Sequence, residues 1–133
     1  GGGGGGCIRK DVNVILENNV FRDVGSVVPG DRILTENYHF VEVDKIYCHK
    51  GIFPLWKMPN LPPITTPNHP IKINDKWYAG DIDAAFTEFN MNVSFLGELS
   101  NVTVDTVCSL ETVMKESIAI LIMAYGEKIF VVD

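Results

Sequence analysis

The chain lacks the pieces that several protein classes require. No apolar run approaches the roughly 20 residues needed to span a bilayer, and the longest near the end, Ile118 to Ala124, is expected to be a buried strand. Basic residues are few, 11 against 17 acidic ones for a net charge of -6. That balance argues against an electrostatic grip on nucleic acid or an anionic membrane. Cysteine is scarce as well: Cys7, Cys48 and Cys108 cannot all pair within the chain, and their spacing fits neither a disulfide framework nor a zinc-finger pattern. Free thiols suit a reducing compartment, here the cytoplasm. Gly1 to Gly6 carry neither positive charge nor an apolar segment, so they are no signal peptide and read as a glycine linker or the remnant of an upstream segment. No heptad or long apolar face calls for a second copy, so a monomer is expected.

What is present suits one core. At 133 residues and 46% hydrophobic the chain is too short for two ordinary domains, and residues 7–133 read as one. Alternating apolar residues from Val12 to Leu16, a turn at Glu17-Asn18-Asn19 and the return Val20 to Val24 predict a hairpin. The Pro29-Gly30 turn delivers Asp31, and a new strand starts at Ile33. Tyr38 to Tyr47 reads as a half-exposed strand, and Cys48-His49-Lys50-Gly51 as a turn. Phe53 to Pro63 holds four of the 7 prolines and predicts an extended edge or irregular connection. Ile71 to Ile73, Asn74-Asp75 and Lys76 to Tyr78 form a second predicted hairpin. The helical candidate is Asp83 to Asn90, at most two turns, with Ala84, Ala85, Phe86 and Phe89 on one face. Strands are then expected at Met91 to Leu96, Val102 to Glu111, Ile118 to Tyr125 and Lys128 to Val132, the last two joined around Gly126. Short strands with almost no helix predict an all-β fold.

The segment Ile64-Thr65-Thr66-Pro67-Asn68-His69-Pro70-Ile71 places a hydroxyl and an imidazole three residues apart between prolines, which fix φ. Such a pair can hold a carbonyl or an amide nitrogen while another group attacks. Cys7, behind Gly6 and opening a strand-like run, is the candidate attacker. Asp31 reads equally as a turn carboxylate and as a group that supports Cys7. His39 and His49 read as ordinary surface or core residues.

Cys7 at a strand start, Val27-Val28-Pro29-Gly30-Asp31-Arg32-Ile33, Thr66-Pro67-Asn68-His69-Pro70 and Ala79-Gly80-Asp81-Ile82 together resemble the Hint superfamily of hedgehog autoprocessing domains and inteins. Trp77 and Ala79 to Ile82 are similar to the segment after the Thr-x-x-His motif in inteins and bacterial intein-like domains, and Ile46-Tyr47-Cys48 and Asn74-Asp75-Lys76-Trp77 resemble the Vint branch. The resemblance extends from Cys7 to about Ile82. It implies a horseshoe-like, partly pseudo-twofold Hint fold with at most one or two short helices. It also implies self-processing without a cofactor: the Cys7 thiol attacks the Gly6 carbonyl, and the peptide bond becomes a thioester. Thr66 and His69 would hold the scissile amide, His69 would protonate the leaving nitrogen, and Gly6, Asn68, Asp31 and Cys108 would support them.

The C-terminal part departs from that pattern. Inteins end in histidine and a cyclising asparagine, whereas this chain ends Val131-Val132-Asp133. Val107-Cys108-Ser109-Leu110-Glu111 matches the preceding intein segment only loosely, and no histidine follows it. Asp133 is the catalytic candidate there, through a slower anhydride-type closure. Full splicing is therefore not expected, and the thioester would pass to water or to an amine. The covalent partners are the upstream and downstream segments. A glycine-ended upstream partner handed to a lysine amine would resemble ubiquitin-like conjugation. Zinc enters only as an inhibitor or regulator, with Cys7, Cys48, His49 and His69 as candidate ligands. The alternatives are a degenerate Hint fold serving as a β-rich linker or interaction module, metal-binding or not, and a Cys-His hydrolase acting on other proteins.

Overall fold

The computed structural model describes residues 6–57, 61–95, 97–115, 118–122 and 127–132. Two residues past Gly6 the chain enters β1, Ile8–Arg9, and then β2, Asn13–Leu16, whose last three residues are buried. A short 3-10 turn at Glu17–Asn19 reverses it. Asn18 and Asn19 take positive φ there (67° and 58°), a region that asparagine tolerates better than most residues. The partner β3, Val20–Asp23, pairs with β2 from Asn13↔Asp23 to Leu16↔Val20. The first predicted hairpin is therefore present, ending at Asp23, one residue short of the expected Val24.

Gly30 turns the chain at φ 96°, where a side chain would be strained, and leads into β4, Arg32–Leu34. A tight turn with Tyr38 at φ 59° then opens β5, Phe40–Lys57. Here the structure corrects the sequence reading. Cys48-His49-Lys50-Gly51 is no turn, because β8, Glu98–Thr112, supplies an antiparallel ladder along β5, with Cys48↔Cys108 and Lys50↔Thr106 in register. Gly51 is open to extended backbone like any residue, so local composition could not tell strand from turn. Pro54 also lies inside β5, opposite Thr103. Register shifts between Lys50/Phe53 and Pro54/Trp56 flank it, which is where a ladder tolerates a missing N–H.

The second predicted hairpin forms as β6, Ile71–Ile73, and β7, Lys76–Tyr78, with Asn74 and Asp75 both at positive φ (51° and 66°) as a tight primed turn requires. Helix α1, Ile82–Phe89, starts at Asp81, whose side chain accepts from the Ala84 N–H, and stops at Asn90 in the left-handed region. Its two turns match the expectation, and its face does except at Phe86. Ala85 is buried, whereas Phe86 is 57% exposed. Met91 to Leu96 is not a strand: only Ser94 bridges, to Tyr78, and Leu96 lies outside the described residues. The last strands are β9, Ile118–Ile122, and β10, Glu127–Val131. The predicted continuation to Tyr125 and the joint at Gly126 lie outside the described residues.

The expected all-β architecture is what forms: among the described residues there are two antiparallel sheets, one helix and no closed barrel. The strands run in the order β1-β8-β5-β4-β2-β9-β10-β6-β7, with β3 on the free side of β2. Strand β5 is long enough to belong to both sheets, pairing with β4 at its start and with β8 beyond. Between them lies a core that includes Ile8, Val14, Ile33, Trp56, Ile64, Ile71 and Ile129. Burying each such aliphatic side chain contributes about 1.5–3 kcal/mol. No helix among the described residues is long and apolar enough to cross a membrane.

Candidate functional site

The residues before the Thr66–His69 turn form a short extended segment wedged between β1 and β5. Thr65 bridges Ile8 on one side and Trp56 on the other. The Arg9 N–H donates to the Ile64 carbonyl at 2.8 Å, Trp56 N–H to Thr65 O at 2.8 Å, and Thr66 N–H to Cys7 O at 2.9 Å. This pairing sets the register of Thr66 against Cys7. The Cys7 N–H, which belongs to the Gly6–Cys7 peptide bond, donates to Thr66 Oγ1 at 2.9 Å.

The hydroxyl has one proton to give. It points to Asn68 Oδ1 at 2.9 Å rather than to the more distant Cys7 carbonyl at 3.4 Å. Asn68 can accept there because its Nδ2 donates to Glu88 Oε2 at 2.5 Å, which fixes the amide orientation. A hydrogen-bonded chain thus runs from the Gly6–Cys7 amide through Thr66 and Asn68 to a carboxylate near the end of α1.

His69 closes the turn, donating its N–H to Thr66 O at 3.1 Å across Pro67 and Asn68. Its side chain is buried, and its ring stacks on Phe89 of α1 at 5.6 Å between centroids and 5° between planes. Nε2 meets the Val132 carbonyl at 2.5 Å. A carbonyl only accepts, so Nε2 carries the proton of the neutral ring and Nδ1 is left with its lone pair. Nδ1 is fully buried and has no hydrogen-bond partner among the described residues. Burial holds the His69 pKa below its ordinary value, outweighing main-chain contacts with Val132 and Cys7 that push it up. The imidazole is therefore a neutral base at pH 7.

Cys7 is 7% exposed and packs on Leu55 and Val107, with Phe53 and Val104 at the margin. Desolvation first, then the neighbouring Cys48 and Glu88 charges, raise its thiol pKa. It rests as a thiol and needs a base to react. Gly6, also buried, lies against the Cα and Cβ of His69.

The structure thus brings Gly6, Cys7, Thr66, Asn68 and His69 together. Asp31 is employed elsewhere, accepting from the Val28 N–H at 3.0 Å and from Arg22 at 3.2 Å, and so clips its own turn. Cys108 is a buried core residue next to β1, in register with Ile8. Burial and then its contact with Cys48, 2.7 Å between sulfurs, push its thiol up to about 12. Asp133 lies outside the described residues, but the carbonyl of Val132 reaches His69. Of the candidate metal ligands, Cys48 and His49 are consecutive in β5 and point to opposite faces of its sheet. Among the described residues no group of three or more His, Cys, Asp or Glu side chains could hold a metal.

Three participants escaped the sequence reading: Glu88, Phe89 and the Val132 main chain. Phe89 was legible only as an apolar helix position. Glu88 carried no signal beyond the need of Asn68 for an acceptor. The main-chain oxygen of Val132 is independent of its side chain and left no trace in the sequence. No protein-family model and no curated protein matches the chain.

Proposed function

We propose that this chain is a self-processing domain of the Hint type, which converts its Gly6–Cys7 peptide bond into a thioester and then passes the upstream segment to water or an amine. The observation that carries the reading is the Cys7 N–H held by Thr66 Oγ1 at 2.9 Å, beside a buried imidazole with a bare Nδ1. Side chains that grip the main-chain N–H of a cysteine next to a neutral base have a use if that amide is the reacting bond.

The chemistry follows from these atoms. Cys7 Sγ reaches the Gly6 carbonyl carbon through a five-membered ring, so proximity is built into the chain. His69 Nδ1 takes the thiol proton while the Sγ–C bond forms. Thr66 keeps the Cys7 N–H on its own side, and the nitrogen lone pair that develops as the amide loses resonance is free to accept a proton. The C–N bond then breaks, and its electron pair takes the proton back from the His69 imidazolium. The products are a glycyl thioester on Cys7 and a free Cys7 amine. Water or an amine attacks the thioester carbon, the C–S bond breaks, and the thiolate is reprotonated. An open groove of about 540 Å³ lined by Pro67, Gly80, Asp81, Ile82, Asp83 and Phe95 adjoins the turn. The Val132 carbonyl at His69 brings the chain on both sides of the domain to one imidazole. Zinc, by taking the Cys7 thiolate and His69 Nδ1, would inhibit this step.

The test is a fusion carrying a reporter ahead of Gly6, treated with hydroxylamine or dithiothreitol and followed by mass spectrometry beside Cys7→Ala. Cys7-dependent release supports the reading, and the mass of the released end names the nucleophile. A fusion that stays intact throughout would leave a non-catalytic β module.

A further inference from the structure

Resting on that reading, we propose that the site selects its acyl donor by size: it processes upstream segments whose last residue is glycine and rejects those with any side chain there. A Cβ built on residue 6 would lie 2.5 Å from His69 Cβ, 2.8 Å from His69 Cα and 2.9 Å from His69 Cγ. Carbon atoms pack at about 3.5–4.0 Å, so even alanine overlaps three atoms at once. The backbone of Gly6 is not in the left-handed region, so its conformation is open to any L-residue and the exclusion is one of space alone.

The wall cannot step back. The His69 main chain is tied to Thr66 O at 3.1 Å. Its ring is bonded through Nε2 to Val132 and stacked on Phe89. Prolines stand at 67 and 70, each fixing φ. A larger residue 6 must therefore move away itself, and it would carry the Cys7 N–H off Thr66 Oγ1. The residue that supplies the base also reads the acyl group. The donors it admits are chains ending in glycine, whose thioesters are also the least hindered toward an incoming amine.

The experiment compares reporter fusions of the full chain with glycine, alanine, serine or leucine at residue 6, the substitutions being Gly6→Ala, Gly6→Ser and Gly6→Leu. Hydroxylamine-driven release is timed for each, and thermal unfolding is recorded. Release from Gly6→Ala is expected to fall at least 100-fold, about 2.7 kcal/mol at 1.36 kcal/mol per decade, with Ser and Leu lower still. Release is compared at a temperature where every fusion is folded, so that any loss of stability from the buried residue 6 is separated from the loss of release. Exchange of the Cys7 amide proton should quicken in Gly6→Ala as its bond to Thr66 is lost. Alanine and serine fusions that release within tenfold of glycine would overturn the inference and leave the self-processing reading standing. A glycine fusion that never releases its reporter would overturn both.

Discussion

Thr66→Val removes one hydroxyl and keeps the shape of the side chain, so it isolates what the oxygen does. In the folded chain that oxygen accepts the Cys7 N–H at 2.9 Å and donates to Asn68 Oδ1 at 2.9 Å. Valine leaves both partners unmatched in a part-buried place, at a cost of about 1–3 kcal/mol in stability. The same bond is asked to hold the Cys7 nitrogen while its geometry changes from amide to amine. Losing about 1.5–3 kcal/mol there slows thioester formation roughly 10- to 100-fold. Thr66→Ser is the counterpart: it keeps the oxygen and gives up one methyl group, so its rate should stay within about threefold of the parent, a difference of under 1 kcal/mol. The assay is the release rate of an upstream reporter in hydroxylamine, followed by mass spectrometry, with guanidinium unfolding of each variant to separate rate from stability. A valine variant as fast as threonine, or a serine variant as slow as valine, would refute the role given to this hydroxyl.

Stability should form a plateau between about pH 6.5 and 9, the ordinary pKa values of histidine and of the thiols in this fold. His69 is held below 6.5, so as pH falls beneath that value the unfolded chain binds a proton that the folded one refuses, and stability drops. Cys7 and Cys108 are held above 9.0, so as pH rises past it the unfolded chain ionises first and stability drops again. Denaturant midpoints across pH 5–10 check both edges, and a midpoint still rising below pH 6 would refute the His69 assignment. In iodoacetamide at pH 8, Cys48, the exposed thiol, should be labelled first and Cys108 last, since a thiol at about 12 is ionised at roughly one part in 10⁴ there; peptide mapping that finds Cys108 labelled as fast as Cys48 would contradict this. Gly80→Ala should cost about 1–3 kcal/mol by overpacking, because the new Cβ would sit 2.6 Å from Cγ of the buried Trp56. Tryptophan fluorescence in guanidinium measures it, and an unchanged midpoint would show that Trp56 can yield.

How far the sequence could be read depended on whether the decisive interaction was local. The two hairpins were legible because Asn18-Asn19 and Asn74-Asp75 sit between alternating apolar runs and accept positive φ. Helix α1 was legible from its spacing, and Asp81 caps it. Cys48 to Gly51 was misread as a turn because what makes it a strand is β8, some sixty residues away. Met91 to Leu96 was misread as a strand because its residue types suit one, yet the fold offers only the Ser94 bridge. Periodicity groups Phe86 with Ala84, Ala85 and Phe89 on one face of α1, and it does not say how much of that face the rest of the fold covers.

The site divides in the same way. The sequence by itself determined that Gly6 stands before Cys7, that Thr66 and His69 are three residues apart in a stiff turn, and that an all-β fold would carry them. Bond connectivity, φ restriction and hydrophobic alternation are properties of neighbours in the chain. Tertiary structure alone decided that Thr66 faces the Cys7 N–H, that Asn68 leans on Glu88, and that His69 is buried, neutral and bonded to the Val132 main chain. It alone made His69 a wall against residue 6. Each of these depends on a distance between segments remote in sequence, and such distances are set by how the whole core packs.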